Sequence, residues 1–226
     1  MKAVLFGSIG VLAETSELQR RAYNAALDAL GIELQWNIAT YCAHINTVGG
    51  KNRLASVLPN NISASLLTDI HELKQKLFLN LLADADITPR PGILEALRHC
   101  KEIGLKTGLI TTTTQMQLEG IFTALSQHLD PSDFDIITNK SDVIAEKPSS
   151  DIYTHALSML NLSASDAVAI EDTEMNQVAA SKAGITCYLL AGNYATIRDG
   201  AHQIFSAEQI FENTASSQKA WAKGAA

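Results

Sequence analysis

Three sets of polar side chains follow predicted strands, and together their types suit a phosphate group and a cation. The sets are Thr111 with Thr112, Lys147, and Glu171 with Asp172. Hydroxyl groups and backbone amides can hold phosphoryl oxygens, an ammonium group neutralises their charge, and carboxylates bind Mg²⁺, which prefers oxygen ligands. Taken singly, each set has an ordinary structural explanation: a β-branched strand end, a solvated lysine or a helix N-cap. Their joint position at the carboxyl edge of one sheet indicates a binding site.

The loop after the first predicted strand has the position of a site but almost none of its chemistry. Ala3 to Phe6 is an apolar run typical of a buried parallel strand, and Gly7 to Gly10 forms the break after it. In open α/β sheets, ligands bind beyond the carboxyl ends of the strands, so this loop should lie in the site. Within it, only Ser8 carries a polar side chain.

From Arg90 onward, predicted strands alternate with predicted helices. This pattern is typical of an α/β fold with a doubly wound, Rossmann-like parallel sheet. The predicted strands are 106–111, 134–138, 167–170 and 186–190, and the predicted helices are 90–100, 116–129, 151–160 and an Ala-rich helix ending at Gly184.

Residues 15–85 are predicted to be wholly helical and to form a cap inserted into the core. Thr15 or Ser16 is expected to cap the first helix, a short helix is expected at 36–44, and residues 48–53 are expected to be a flexible break. A long amphipathic helix follows, and its buried stripe is predicted to be Leu66, Leu67, Ile70, Leu73, Leu77 and Leu81. The predicted core is therefore residues 1–14 with 86–213, and residues 214–226 form a tail of uncertain order.

Composition excludes several functional classes. The 226 residues carry a formal charge of −7, which argues against nucleic-acid binding because that function needs clustered Lys and Arg. No run approaches the ~20 apolar residues of a membrane span. The cysteines Cys42, Cys100 and Cys187 form no Cys-x-x-Cys pair, so a reducing, cytoplasmic location is the expectation.

The order and spacing of these segments resemble the haloacid dehalogenase (HAD) superfamily of phosphatases and phosphosugar mutases. Within it, the chain looks closest to the CbbY-like, phosphoglycolate-phosphatase-like group of sugar-phosphate phosphatases. Residues 108–114 match the second family motif, Lys147-Pro148-Ser149-Ser150-Asp151-Ile152-Tyr153 the third, and Glu171-Asp172-Thr173 the fourth. Segments of the cap also match, namely Ser16-Glu17-Leu18, Gly49-Gly50-Lys51 and His71-x-x-Lys74.

The first motif departs from the family pattern Phe-Asp-x-Asp-Gly-Thr-Leu, because this chain has Phe6-Gly7-Ser8-Ile9-Gly10-Val11-Leu12. The resemblance implies an aspartate nucleophile at position 7 and an aspartate acid/base at position 9. Gly7 and Ile9 can perform neither role. Ser8 is one residue away from the nucleophile position, and strand alternation would point it to the other side. Of the implied Mg²⁺ ligands, Asp172 remains with the carbonyl of Ile9, so Mg²⁺ is expected to bind weakly or not at all.

These observations lead to one principal hypothesis. The chain is predicted to bind a phosphorylated sugar or other small anion with little or no phosphatase activity. Thr111, Thr112 and Lys147 would hold the phosphoryl end, and the cap cations, Lys51, Arg53 and Lys74, would hold the remote end. Lys147 is predicted to pair with Glu171 or Asp172.

Two alternatives stay open at the sequence level. The chain could be a divergent phosphohydrolase in which Asp172 or Glu171 acts as a base, or a regulatory module that pairs with an active relative. Restoring aspartate at both positions, through Gly7→Asp and Ile9→Asp, is expected to recover Mg²⁺ binding if the rest of the pocket is intact.

Overall fold

Five parallel strands form the centre of the fold. A computed structural model describes residues 1–47, 49–59, 62–197 and 202–212; the predicted tail therefore lies outside the described residues. The strands are β1 (Ala3–Phe6), β2 (Lys106–Leu109), β3 (Ile136–Ile137), β4 (Ala167–Glu171) and β5 (Thr186–Leu189). Their order in the sheet is β3-β2-β1-β4-β5. Because β1 is central and the chain crosses it to wind in both directions, the predicted Rossmann-like α/β class is confirmed.

Helices cover the sheet and fill the long segment between β1 and β2. They are α1 (Ile9–Leu12), α2 (Ser16–Ala29), α3 (Ile38–His44), α4 (Gly50–Ala55), α5 (Ala64–Ala83), α6 (Ile93–Glu102), α7 (Gln115–Ala124), α8 (Asp151–Leu160) and α9 (Glu174–Lys182). Short 3₁₀ turns lie at Pro131–Asp133, Lys140–Asp142 and Ala164–Asp166.

The two faces of β1 contribute to two separate hydrophobic clusters. Val4 and Phe6 pack in a cluster that contains side chains of α6 and α7. Ala3 and Leu5 pack in a second cluster with side chains of α8 and α9. Successive side chains of a strand point to opposite faces, so this wholly buried strand anchors both layers of helices.

A third hydrophobic cluster comes entirely from the segment between β1 and β2. It contains Tyr23, Ala26, Leu27, Trp36, Tyr41, Leu54, Leu58 and Ile70. Farther along α5, Phe78 and Leu82 belong to the cluster with α7, and Leu79 lies against Gly120 of α7. The long helix α5 therefore contributes to two clusters, and the domain division at residue 85 stays a prediction.

Two details of the predicted helical segment are wrong. Residues 50–55 are helical and not a flexible break. Thr15 makes no side-chain cap bond to α2; the backbone N–H of Ser16 instead donates to Glu14 Oε1 at 2.8 Å. The carboxylate that caps the helix is therefore Glu14, two residues before α2 begins. The sequence prediction considered only the hydroxyl groups of Thr15 and Ser16.

The buried stripe of α5 also differs from the prediction. Its fully buried residues are Ile70, Lys74, Phe78 and Leu82, four residues apart, and only Ile70 was in the predicted set. The leucines of the predicted stripe are partly buried at its flanks. Burial of Lys74 in this stripe is the feature that hydrophobic periodicity could not reveal. No helix in the described parts of the chain has the length and apolar character needed to span a bilayer.

Candidate anion-binding site

A cavity of about 700 Å³ opens at the carboxyl edge of the sheet and is covered by side chains from α2, α4 and α5. The predicted site residues that line it are Thr111, Thr112, Lys147, Asp172, Lys51, Arg53 and Lys74. Glu171 lies behind the wall of the cavity, since its exposed fraction is 0%. The fold therefore brings the predicted phosphoryl end and the predicted cap cations to one space.

The ammonium group of Lys147 is enclosed at the sheet end of this cavity. It donates to the carbonyl of Gly7, to the carbonyl of Ile110 at 2.7 Å and to Glu171 Oε1 at 2.5 Å. The residue is only 5% exposed. Lys147 is thus hydrogen-bonded at the carboxyl ends of three strands, β1, β2 and β4. Its predicted pairing is confirmed for Glu171.

Glu171 is the last residue of β4, and its carboxyl group is fully buried. Besides Lys147, the hydroxyl of Tyr153 donates to Glu171 Oε1 at 2.6 Å. Glu171 Oε2 has no hydrogen-bond partner within the described residues. Burial raises the pKa of Glu171 to about 7, although the contact with Lys147 acts in the opposite direction.

The carboxyl group of Glu171 fills the space beside position 7. A Cβ atom placed on Gly7 would lie 2.0 Å from Glu171 Cδ and 2.2 and 2.4 Å from its two oxygens. A carboxyl group is therefore next to Gly7, but it is enclosed and does not line the cavity. The predicted recovery of Mg²⁺ binding by Gly7→Asp with Ile9→Asp stays a prediction, and it requires that the new side chain at position 7 displace Glu171.

Asp172 and Ser8 both line the cavity, but they differ in hydrogen bonding. Asp172 Oδ1 accepts from Asn176 Nδ2 at 3.0 Å, and Asp172 Oδ2 would lie 2.0 Å from a Cβ atom on Gly10. Asp172 therefore packs against bare backbone. The Ser8 hydroxyl is buried and has no hydrogen-bond partner within the described residues, so no described group activates it as a nucleophile.

The oxygen atoms of the described residues at this site do not fit the coordination of a resident Mg²⁺ ion. Mg²⁺ requires near-octahedral oxygen ligation. The carbonyl of Ile9 accepts the backbone N–H of Ala13 at 3.0 Å, and Glu171 Oε1 is shared by Lys147 and Tyr153. Among the described residues, no group of three or more His, Cys, Asp or Glu side chains could hold a metal ion. The strength of Mg²⁺ binding by Asp172 and Glu171 stays a prediction.

The threonine loop after β2 is held by its own hydrogen bonds. The backbone N–H of Thr111 donates to Thr138 Oγ1 at 3.0 Å, and Thr111 Oγ1 accepts the N–H of Thr113 at 3.1 Å. Thr114 caps α7 by accepting the N–H of Gln117 at 3.4 Å. These bonds leave the hydroxyl hydrogen of Thr111 free to be directed at a ligand, while Thr112 lines the cavity.

Two of the cap cations differ in how their charge is held. Lys51 is exposed, and its Nζ donates to Thr68 Oγ1 at 3.1 Å. Arg53 donates to the backbone carbonyls of residues 44, 45 and 47, at 3.1, 2.9 and 3.3 Å. Lys51 can therefore reach a ligand directly, whereas Arg53 contributes mainly its positive charge.

Lys74 is a buried cation, and no carboxylate of the described residues is hydrogen-bonded to it. Its Nζ donates to Gln19 Oε1 and, at 3.1 Å, to Gln75 Oε1. It also lies 4.7 Å from the ring centroid of Tyr23 and 5.2 Å from that of Phe78. Burial, and then the charge of Arg53, lower the pKa of Lys74 to about 7. An anion in the cavity would supply the missing countercharge.

Sequence reasoning missed the residues that connect the two ends of the cavity. Gln117 of α7 donates to Gln75 Oε1 at 2.8 Å, and the hydroxyl of Thr113 donates to Gln117 Oε1. Gln75 also accepts from Lys74, so hydrogen bonds run from the cap cation to the threonine loop. Glutamines on two distant helices carry no signal of this contact. Tyr153 did have a signal, since it ends the third motif.

Comparisons with known proteins agree with this geometry. The family model described as haloacid dehalogenase-like hydrolase matches residues 5–190. The chain is 37% identical over 197 residues to Protein CbbY of Cereibacter sphaeroides, which covers 86% of each chain. It is 28% identical over 225 residues to a phosphorylated carbohydrates phosphatase of Thermotoga maritima, covering 93% of this chain and 96% of the other.

Solved structures give the same relationship. CbbY from Rhodobacter sphaeroides in complex with phosphate superposes with a TM-score of 0.82 at 35% identity, covering 92% of this chain and 96% of that one. A mutant of CbbY in complex with xylulose-1,5-bisphosphate gives a TM-score of 0.81 at 34% identity, covering 91% and 94%.

Glu171→Gln should remove a pH dependence of stability. The folded-state pKa of about 7 lies above the ordinary value of 4.5, so the folded state holds the proton more tightly between these values. The free energy of unfolding of the parent should therefore fall as the pH rises from about 4.5 to about 7, by on the order of 3 kcal/mol. Urea unfolding across this range measures the slope. Glu146→Gln, which removes a partly exposed carboxyl group paired with Lys140, should keep the slope; the same slope in Glu171→Gln would contradict the assignment.

Lys74→Met should remove a slope of the opposite sign at higher pH. The pKa of Lys74 is lowered from 10.5 to about 7, so the unfolded state binds more protons between these values. The stability of the parent should rise with pH through this interval, and the rise should be absent in the variant. Urea unfolding from pH 7 to 9.5 tests this. The matched variant at the exposed Lys51, Lys51→Met, should retain the parent's slope.

Proposed function

The chain belongs to the haloacid dehalogenase-like hydrolase family, and from that premise we propose that it binds a phosphorylated sugar or other small anion with little or no phosphatase activity. The observation that carries the proposal is the cavity itself. Thr111, Thr112 and Lys147 lie at its sheet end and cations lie at its other end, while positions 7 and 9 offer no carboxylate.

At the sheet end, hydroxyl groups and one buried ammonium would hold the phosphoryl group. The three N–H donors of Lys147 are satisfied by two carbonyls and Glu171, so an entering phosphoryl oxygen would replace a carbonyl acceptor. A charge-assisted hydrogen bond to phosphate is stronger than one to a neutral carbonyl. The exchange is therefore favourable, and Thr111 and Thr112 would complete the cradle.

At the other end, the cap segment would hold a second anionic group or the polar body of the sugar. Lys51 has an exposed ammonium at the cavity, and the hydrogen bonds of Lys74 to described residues go to glutamine oxygens and not to a carboxylate. Arg53 adds its charge to the same wall. The phosphate and xylulose-1,5-bisphosphate complexes of the CbbY relatives support a phosphosugar as the ligand class. In this proposal residues 15–85 act as the cap over a core of residues 1–14 and 86–213.

The chemistry of the first loop supports loss of the covalent phosphatase mechanism. Gly7 cannot attack phosphorus, and Ile9 cannot carry a proton. Loss of a covalent nucleophile costs on the order of 10⁶ in kcat by the subtilisin precedent. Glu171 is enclosed by Lys147 and Tyr153, so its carboxylate does not reach the cavity as a substitute.

One observation favours a second candidate function. Asp172 lines the cavity and is partly exposed, so it could act as a general base for attack by water. This divergent phosphohydrolase would keep the same ligand class. The regulatory, partner-binding alternative stays a prediction.

Isothermal calorimetry should detect binding of inorganic phosphate and of xylulose-1,5-bisphosphate to the parent. Thr112→Val removes a hydroxyl from the cradle at nearly constant volume and should weaken phosphate binding by about tenfold, given ~1 kcal/mol for a hydrogen bond. Lys51→Met should weaken the bisphosphate more than inorganic phosphate. Lys101→Met, at an exposed position of α6 that does not line the cavity, should change neither. A correctly folded parent that gives no binding heat with either ligand would overturn the proposal.

Phosphate release from a panel of sugar phosphates, with and without Mg²⁺, should not exceed the background of the Asp172→Ala variant. The expected equality follows from the absence of a nucleophile at position 7 and an acid at position 9. Mg²⁺-dependent turnover by the parent that Asp172→Ala abolishes would instead establish the divergent phosphohydrolase.

A further inference from the structure

We propose that Glu171 is the positioning residue of the anion site: it supplies from β4 the carboxylate partner of Lys147 that position 7 does not supply, and it occupies the space left by the missing side chain. The effect on anion binding rests on the proposed function. That a carboxylate at either position 7 or position 171 can pair with Lys147 does not depend on ligand binding, and it can be tested without a ligand.

The first observation is steric. The nearest atoms to a Cβ on Gly7 are the three carboxyl atoms of Glu171, at 2.0, 2.2 and 2.4 Å. Real Cβ atoms do not approach other heavy atoms so closely. The side chain at position 171 can hold this conformation only because residue 7 is glycine, so the two positions compete for one space.

The second observation concerns charge. The other two acceptors of Lys147 are neutral carbonyls, those of Gly7 and Ile110, so Glu171 is the carboxylate hydrogen-bonded to this buried cation. The neighbouring carboxylate of Asp172 is turned to Asn176 at 3.0 Å. Above a pH of about 7, where Glu171 is ionised, this carboxylate is the countercharge of the buried ammonium, and its loss leaves Lys147 without a charged partner.

The third observation fixes the geometry of the carboxyl group. The hydroxyl of Tyr153 donates to the same oxygen, Glu171 Oε1, that accepts from Lys147. Tyr153 is fully buried on α8, where its ring is packed in the second hydrophobic cluster. This clamp holds the carboxylate beside Gly7 and keeps the Lys147 ammonium at the sheet end of the cavity.

A consequence follows for any restored active site. Gly7→Asp alone would force two carboxylates into one enclosed space, where like charges repel strongly. Recovery of a functional carboxylate at position 7 therefore requires that Glu171 be shortened as well. The pair Gly7→Asp and Ile9→Asp is incomplete without that third change.

A double-mutant cycle tests the exchange. The four proteins are the parent, Gly7→Asp, Glu171→Ala, and the double variant with both substitutions. Urea unfolding at pH 8, above the Glu171 pKa of about 7, compares their unfolding equilibrium constants. Each single variant should be less stable by roughly 10²-fold, because one crowds two carboxylates and the other leaves Lys147 uncompensated. The double variant should return to within about threefold of the parent, since the carboxylate has moved and its partner is the same.

A matched uncharged variant separates charge from packing. Gly7→Asn with Glu171→Ala fills the same space without a carboxylate and should not recover stability. Equal recovery by the Asn and Asp double variants would overturn the proposal, because the role of Glu171 would then be to fill space. Additive destabilisation in the Asp double variant would overturn it as well.

Inorganic phosphate binding by calorimetry adds a functional readout on the same proteins. Glu171→Gln keeps the shape but removes the charge, and it should bind phosphate about tenfold more tightly at low salt because Lys147 is no longer neutralised. The Asp double variant should bind within about threefold of the parent. If the parent binds no phosphate while the stability cycle behaves as described, the proposed function fails and the carboxylate exchange stands. Unchanged phosphate affinity in Glu171→Gln, with the parent binding, would overturn the positioning role.

Discussion

The buried ion pair between Lys147 and Glu171 is the interaction on which the site depends. Its 2.5 Å contact is closed off from water, and both partners are less than a tenth exposed. Because Lys147 also donates to carbonyls after β1 and β2, one ammonium group joins three strand ends. Burial of two charges is costly unless they are paired and hydrogen-bonded, so this contact holds the loop that carries Lys147 against the end of β4.

The cavity contains a second buried cation that is held in another way. Lys74 contacts two glutamine oxygens and two aromatic rings, and within the described parts of the chain it has no hydrogen-bonded carboxylate such as Lys147 has. Burial therefore lowers its pKa to about 7, whereas Glu171, deeper in the wall, has its pKa raised to about 7. At one end of the cavity the buried cation contacts a carboxyl group of the protein, and at the other end it contacts only neutral groups among the described residues. This asymmetry is the physical basis for proposing an anionic ligand.

Family membership and chemistry have to be separated in this chain. The match to the haloacid dehalogenase-like hydrolase family covers residues 5–190, and the strand ends that carry Thr111, Lys147 and Asp172 converge as a family resemblance would imply. The sheet requires only that β1 be apolar and that its loop leave the sheet at residue 7. Glycine meets both needs, so the fold itself does not require an acidic residue at position 7.

The sequence by itself determined the α/β class, four of the five strands almost to the residue, and the absence of acidic groups at positions 7 and 9. Strand periodicity and local motifs are short-range signals, so they can be read from neighbours in the chain. Only the tertiary structure decided that Glu171 and not Asp172 pairs with Lys147, that its carboxyl group fills the space beside Gly7, and that Lys74 is buried in α5. Each of these depends on side chains that meet across 24 to 164 positions of sequence, where packing and desolvation select the partner.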